Sequence, residues 1–339
     1  MERKYISRNS LTNCLKKIQT DGISIYAPVA RGEQTDFRVI TSVDEITIDG
    51  PVQTIRSAKA VVFPCTETLF SYKKEKNDVT LRDYNPNELP EMLVFGIHPC
   101  DAAGFRPLGS IFNWDTPDKP YNERRKRTTL ITLACTRSDE YCFCTSAGGG
   151  PGNTEGSDIL LTPIKEEGYL AEIISDKGNE WYEKYGSFFE NAPEGIRKED
   201  YLVEIPAKLD VKEIGRKISE RFDSDIWRLQ SERCIGCGAC AFVCPTCACF
   251  DIQEDAHGTS GSRIRCWDSC GFSLFTLHTS GHNPRSTQSQ RWRQRLMHKF
   301  SYMPERLSVI GCTGCGRCSR ACPVDMNLSE NLKIIAHEQ

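Results

Sequence analysis

The chain has 339 residues, 39% of them apolar and 26% charged, with a formal net charge of −3. This composition excludes a largely disordered chain, and so mild a charge excludes nucleic-acid binding by bulk electrostatics. No segment approaches the roughly eighteen consecutive apolar residues of a membrane-spanning helix. The opening Met1-Glu2-Arg3-Lys4-Tyr5 has no signal-peptide core, so a cytoplasmic chain of two or three domains is expected.

Residues 1–205 read as alternating strands and helices. Gly22–Ala30 and Phe37–Ile46 are apolar or β-branched runs broken by Gly and Asp, and Ala60–Phe63 has the look of a short buried strand. Met92–Ile97 and Thr128–Ala134 are two more such runs, ending at His98-Pro99-Cys100-Asp101 and at Cys135. Short continuous apolar runs suit a sheet covered on both faces, so this half is expected to be an α/β domain. From 208 to 230 a helix is expected, with Ile214, Ile218, Phe222 and Ile226 forming its apolar stripe. It leads into a second domain, 206–339.

That second domain holds most of the cysteine. Of 18 cysteines in the chain, 12 lie from Cys234 onward. So many thiols without an export signal argue against a disulfide framework, and their short spacings argue for metal. The segments Cys234-x2-Cys237-x2-Cys240-x3-Cys244-Pro245 and Cys312-x2-Cys315-x2-Cys318-x3-Cys322-Pro323 both match the run that holds [4Fe–4S] clusters. Two-residue gaps let three thiolates converge on three corners of a cubane, while Gly236, Gly238, Gly314 and Gly316 let the loop backbone come close. The fourth cysteine of each run normally reaches the other cluster. One cluster is therefore expected on Cys234, Cys237, Cys240 and Cys322, the other on Cys312, Cys315, Cys318 and Cys244. Zinc usually takes paired C-x2-C units or mixed Cys/His ligands, and two full four-cysteine runs fit it poorly. Sixty-seven residues separate Cys244 from Cys312. That gap favours an α-helical ferredoxin-like domain, with helices between the two cluster loops, over a compact ferredoxin.

Several further segments carry a family resemblance. Cys244-Pro245-Thr246-Cys247-Ala248-Cys249-Phe250-Asp251 resembles the CPTCxCFD signature of the iron–sulfur β subunit of cytoplasmic sulfhydrogenases, a family shared with an iron–sulfur subunit of anaerobic sulfite reductase. Trp267-Asp268-Ser269-Cys270, Gly281–Arg285, Arg291-x-Arg293-x-Arg295 and His298-Lys299-Phe300 are similar too. So are Gly96–Asp101 and Cys142-Phe143-Cys144-Thr145. The resemblance runs from about residue 60 to the end and is weaker before it. It implies an electron relay within a multisubunit oxidoreductase. Two kinds of partner are implied. One is a flavin-bearing, NAD(P)-binding subunit; the other is a catalytic partner, namely a hydrogenase, a sulfite reductase or a heterodisulfide reductase-type module.

A third [4Fe–4S] cluster is expected in the first domain. Cys100 and Cys135 each follow a predicted parallel strand, and the C-terminal ends of such strands form the crevice where α/β domains bind ligands. Cys142 and Cys144 lie one loop further on, followed by Gly148-Gly149-Gly150-Pro151-Gly152, which is flexible enough to fold over the site. The bland alternative is four buried apolar cysteines. The glycine run lacks the features of a P-loop or a Rossmann fingerprint. An N-terminal cluster with an open iron would instead make the chain a reductase of a small sulfur compound; four cysteine ligands favour the relay.

Cys247, Cys249, Cys266 and Cys270 have the numbers for a fourth site, although packing beside the clusters as small hydrophobes is the favoured reading. Cys14 and Cys65 read as structural. Between 257 and 311 stand eight Lys/Arg, including Arg291, Arg295 and Lys299 one turn apart, against Asp268 and Glu305. Cations there would raise the potential of an anionic cluster or anchor a partner. No histidine pair or nucleophile motif points to acid–base catalysis.

Overall fold

The computed structural model describes residues 2–164 and 168–337. Its strands, in chain order, are β1 (Glu2–Ser7), β2 (Ser24–Arg31), β3 (Gln34–Val39), β4 (Thr66–Glu75), β5 (Asp78–Asp83) and β6 (Met92–Ile97), then β7 (Thr128–Leu133), β8 (Ile159–Ile164), β9 (Gly168–Ile173), β10 (Glu190–Asn191), β11 (Phe250–His257) and β12 (Ser260–Trp267).

Eight of these form one sheet in the order β10-β1-β9-β8-β7-β6-β2-β3. Its centre, β2-β6-β7-β8, is parallel, and the flanking pairs are antiparallel. β7 is buried at every position, as a strand covered on both faces must be. Helix Arg8–Thr20 covers one face with Leu11, Cys14, Leu15 and Ile18, and the Ser7 hydroxyl accepts from the Ser10 N–H at 3.1 Å to cap it. Full burial of each such Leu or Ile stabilises by about 1.5–3 kcal/mol. Cys14 belongs to this core, and burial pushes its thiol up to about 12. The other face is covered by helix Pro99–Phe112, through Ala102, Phe105 and Leu108.

Two local expectations are corrected. Ala60–Phe63 is not a strand: Ala58–Val61 forms a 3₁₀ turn, and Val62 and Phe63 drop into the core behind it. The helix expected over 208–230 is two helices, Val211–Glu220 and Ile226–Ser231. The Ser224 hydroxyl accepts from the Ile226 N–H at 3.2 Å, a local bond that competes with helical continuation. Phe222 consequently sits 38% exposed instead of on the stripe.

The second half carries more helix than strand, and its core gathers Ile214, Ile218, Trp227, Trp292, Leu296, Phe300 and Leu332. It also carries the hairpin β11–β12, and β12 pairs with β4 in a four-stranded sheet, β11-β12-β4-β5. Stretches almost 200 residues apart thus share one sheet. Arg265 of β12 is 2% exposed and ion-pairs with Glu67 and Asp118. The rings of Phe63, Phe112 and Phe250 stand about its guanidinium at 5.1–5.4 Å.

Candidate iron–sulfur sites

The two ferredoxin-type motifs fold alike. Each carries its third cysteine on a one-turn helix, Ala239–Phe242 in the first and Arg317–Arg320 in the second, and these helices touch. In each, two glycines take the left-handed region: Gly236 (φ 68°) and Gly238 (74°), Gly314 (64°) and Gly316 (72°). A side chain at Gly314 would place its Cβ 2.5 Å from the Phe143 carbonyl, and one at Gly316 would stand 2.6 Å from the Tyr141 oxygen. Glycine is needed there for backbone conformation and for the close passage of another cysteine loop.

Cys234, Cys237, Cys240 and Cys322 line one cavity, so the fourth cysteine of the second motif faces the three of the first. Of the reciprocal set, Cys244 acts electrostatically on Cys312, Cys315 and Cys318. Burial pushes the thiols of Cys312 and Cys315 up, to about 12 and about 11, and the Cys244 sulfur adds to the rise at both and at Cys318. Thiols held this protonated must lose protons when they ligate iron, so loading is coupled to proton release.

Cys100, Cys135, Cys142 and Cys144 line another cavity, together with Gly150. Cys100 comes from the first turn of helix Pro99–Phe112, where Pro99 starts the helix and the dipole favours negative charge. Cys135 follows β7, and its N–H donates to the Pro151 carbonyl at 2.9 Å, which folds the glycine run back over the site. Each sulfur has a nitrogen beside it, that of Cys144 the backbone N–H groups of Cys144 and Thr145. Gln53 Nε2 donates to Cys100 at 3.3 Å, His98 Nδ1 lies 3.2 Å from Cys135, and Arg320 Nη2 donates to Cys142 at 3.2 Å. Burial holds the His98 imidazole down to about 4, hence neutral.

The second motif stands between the other two sites. Cys315 lines the Cys100 cavity, and Cys318 lines the Cys234 cavity. The Phe143 N–H donates to the Gly314 carbonyl at 2.9 Å. Arg317, next to Cys318, makes a bidentate pair with Asp101, next to Cys100, at 2.7 Å to each oxygen, and both residues are 1% exposed. Arg317 also donates to the Thr54 carbonyl and hydroxyl.

The basic stretch turns inward. Arg291, Arg295 and Lys299 are all buried, not a solvated face. Lys299 Nζ donates to Cys244 Sγ at 3.4 Å and to Thr246 Oγ1 and the Gly311 carbonyl, while Arg295 donates to the Cys240 carbonyl at 2.9 Å and to Cys247 Sγ at 3.5 Å. Burial alone would lower the Lys299 ammonium; the sulfurs of Cys244 and Cys247 outweigh it and hold it above its usual range. Sequence reasoning missed a further buried cation, Lys59, whose ammonium donates to the carbonyls of Ala241 and Cys247 and stands 4.1 Å over the Trp267 ring. Arg265 belongs to the Glu67–Asp118 pair and not to the sulfurs.

The donor set fits cubane clusters better than single ions. Tetrahedral zinc, with Zn–S near 2.3 Å, needs sulfurs about 4 Å apart. Among the described residues no three His, Cys, Asp or Glu groups gather closely enough to hold one ion. The lining residues are cysteine sulfurs and cationic or N–H donors, which suits an anionic cluster.

Residues 233–326, spanning both motifs, match the 4Fe-4S dicluster domain family. No solved structure matches the chain. Among curated proteins, Sulfhydrogenase 2 subunit beta of Pyrococcus furiosus is 31% identical over 318 residues, covering 92% of this chain and 91% of that protein. Among the described residues no helix is long and apolar enough to cross a membrane. A match of this extent, together with the dicluster domain over residues 233–326, establishes that the chain is an iron–sulfur protein belonging to the sulfhydrogenase β-subunit family.

Proposed function

We propose that the chain is the electron-relay subunit of a multisubunit oxidoreductase, with an α/β domain over 1–205 and a ferredoxin-like domain over 206–339. It holds three [4Fe–4S] clusters: one on Cys234, Cys237, Cys240 and Cys322, one on Cys312, Cys315, Cys318 and Cys244, and one on Cys100, Cys135, Cys142 and Cys144. When bound they supply one-electron storage at three neighbouring points; the chain's own residues set ligation, spacing and local charge. The observation that carries this reading is the order of the sites, with the second motif lining both the Cys100 and the Cys234 cavities. The first site is the more open end, since Cys237 is exposed and Cys312 and Cys315 are buried. Electrons would pass between a flavin- and NAD(P)-binding partner and a catalytic partner, which the sulfhydrogenase relative suggests is a hydrogenase.

A second reading, reduction of a small sulfur compound by the Cys100 site itself, draws on one feature. A cavity of about 360 Å³ at the ends of β6 and β7 is lined by Arg8, Arg137, Tyr169, Tyr201 and His98, and His98 also touches Cys135. Four cysteines on the site favour the relay, because no iron corner is left open to a substrate.

Iron counting on the anaerobically purified chain tests the proposal. The three sites account for about twelve irons, and Cys135→Ser is expected to hold about four fewer than wild type with the ferredoxin-type signals retained. Equal iron in both proteins would remove the third cluster. Co-purification with a flavoprotein and a catalytic partner is expected; turnover of a small sulfur compound by the isolated chain would favour the second reading.

A further inference from the structure

Three of the cysteines left over by these sites converge. Cys247, Cys249 and Cys270 line one cavity of about 230 Å³, and His298 stands in the same wall. The geometry points to a fourth [4Fe–4S] cluster in this cavity, ligated by Cys247, Cys249, Cys270 and His298. Cys266, the other cysteine of the group, is absent from that lining and lies on β12 opposite Asp251 and Thr66.

The four groups come from three segments that the fold brings together. Cys247 and Cys249 follow the proline of the first motif, and Cys270 follows β12. The Asp268 N–H donates to the Cys249 carbonyl at 3.0 Å, tying the latter two segments side by side. His298 follows helix Gln288–Met297, the element that supplies Arg295.

Buried charge is the second line of argument. Lys59, Arg295 and Lys299 are 3–4% exposed, and among the described residues none has a carboxylate within 4 Å. A buried cation is stabilised by anionic charge beside it. Their contacts converge on the 244–247 segment: Arg295 on the Cys247 sulfur, Lys59 on the Cys247 carbonyl, Lys299 on Cys244 and Thr246. Cys247 belongs to neither ferredoxin-type ligand set. A thiolate-ligated cluster there places negative charge where the three cations meet.

Its place extends the relay. Cys270 lines the Cys234 cavity as well as this one, so the fourth cluster adjoins the first-motif cluster. With clusters held by Cys234, Cys237, Cys240 and Cys322 and by Cys247, Cys249, Cys270 and His298, a single electron would pass from the first to the second with no bond made or broken. His298 is exposed, so the new cluster reaches the surface, where a partner can take the electron. A histidine in place of a thiolate raises a cluster's potential, which makes this site the electron sink of the chain.

The site goes beyond the three clusters proposed above, and its test is separate from theirs. The anaerobically purified full chain is analysed for iron and zinc beside Cys249→Ser, Cys270→Ser and His298→Cys. About sixteen irons are expected, falling to about twelve in either serine variant, with the signals lost in Cys135→Ser untouched. His298→Cys should keep its iron and shift one cluster's potential downward; this variant also covers the case in which the serine variants do not fold. Identical iron contents in wild type and both serine variants would overturn the proposal, as would one zinc per chain lost with iron unchanged. An unshifted potential in an iron-replete His298→Cys protein would remove His298 from the ligand set.

Discussion

The Arg317–Asp101 pair offers the sharpest test of how the cysteine loops are held together. Both side chains are 1% exposed, joined by two bonds of 2.7 Å, and Arg317 spends its remaining donors on Thr54. Replacing Arg317 by Met leaves the Asp101 carboxylate buried without a counter-charge, beside Cys100. Breaking one side of such a pair costs about 3–5 kcal/mol, whereas replacing both sides by apolar groups is often neutral. Unfolding of a cluster protein is not a reversible two-state process, so the assay is native-state proteolysis of the loaded chain under argon at low protease. In that regime cleavage follows the population of the opened state. Arg317→Met should therefore be cut roughly 150- to 5,000-fold faster than wild type, first in the loops around Cys100 and Cys315. Asp101→Leu combined with Arg317→Met should recover most of that loss. An Arg317→Met rate within about fivefold of wild type, or a double variant as fragile as the single one, would refute the view that this pair clamps the two loops.

Two further outcomes follow from the same contacts. Gly314→Ala forces a residue with Cβ into a left-handed conformation, costing about 1–2 kcal/mol, and drives that Cβ into the Phe143 carbonyl. It should lower the iron held by the Cys100 site more than that held by the Cys234 site, read by iron analysis and by the low-temperature spectra of the reduced protein. Arg295→Gln removes a buried cation that touches Cys240 and Cys247, so it should lower the potential of an adjacent cluster by roughly 60 mV, the equivalent of about 1.4 kcal/mol, in a redox titration.

The candidate cysteine groups were legible because cluster chemistry fixes the spacing of its ligands. Two-residue gaps and a trailing Cys-Pro announce Cys234–Cys244 and Cys312–Cys322, and the rule that ligands sit beyond parallel strand ends was enough to group Cys100 with Cys135. The shared four-stranded sheet was not legible. β5 is exposed at every position and β11 at all but its first, so neither shows the alternation that marks a half-buried strand. Its register is set by pairing across almost 200 residues, which no local pattern records. Ala60–Phe63 misled for a related reason: a run of four apolar residues has no period, and burial alone does not distinguish strand from turn. Lys59 was invisible because a lysine in sequence reads as solvated, and only the carbonyls of Ala241 and Cys247, far along the chain, give it a reason to be inside.

These long-range contacts bear on whether the ferredoxin-like half can stand alone. A chain starting at residue 206 would keep both motifs, yet Arg317 would lose Asp101 and Thr54, and Arg265 would lose Glu67 and Asp118. β12 would lose its partner β4, leaving an open edge, and the 312–318 loop would lose the Phe143 backbone that packs on Gly314. Two uncompensated buried guanidiniums alone, at about 3–5 kcal/mol each, consume most of the 5–15 kcal/mol that stabilises an ordinary domain. The isolated 206–339 fragment should therefore fail to hold its clusters at wild-type occupancy and should be cut rapidly by protease. A protease-resistant fragment that keeps both ferredoxin-type clusters would show that the motifs organise themselves and that the contacts with the α/β half are only a docking surface. Failure of the fragment, with rescue when residues 1–205 are supplied as a separate chain, would show that the α/β half is part of the clusters' scaffold, which is what the placement of Asp101, Glu67 and Phe143 requires.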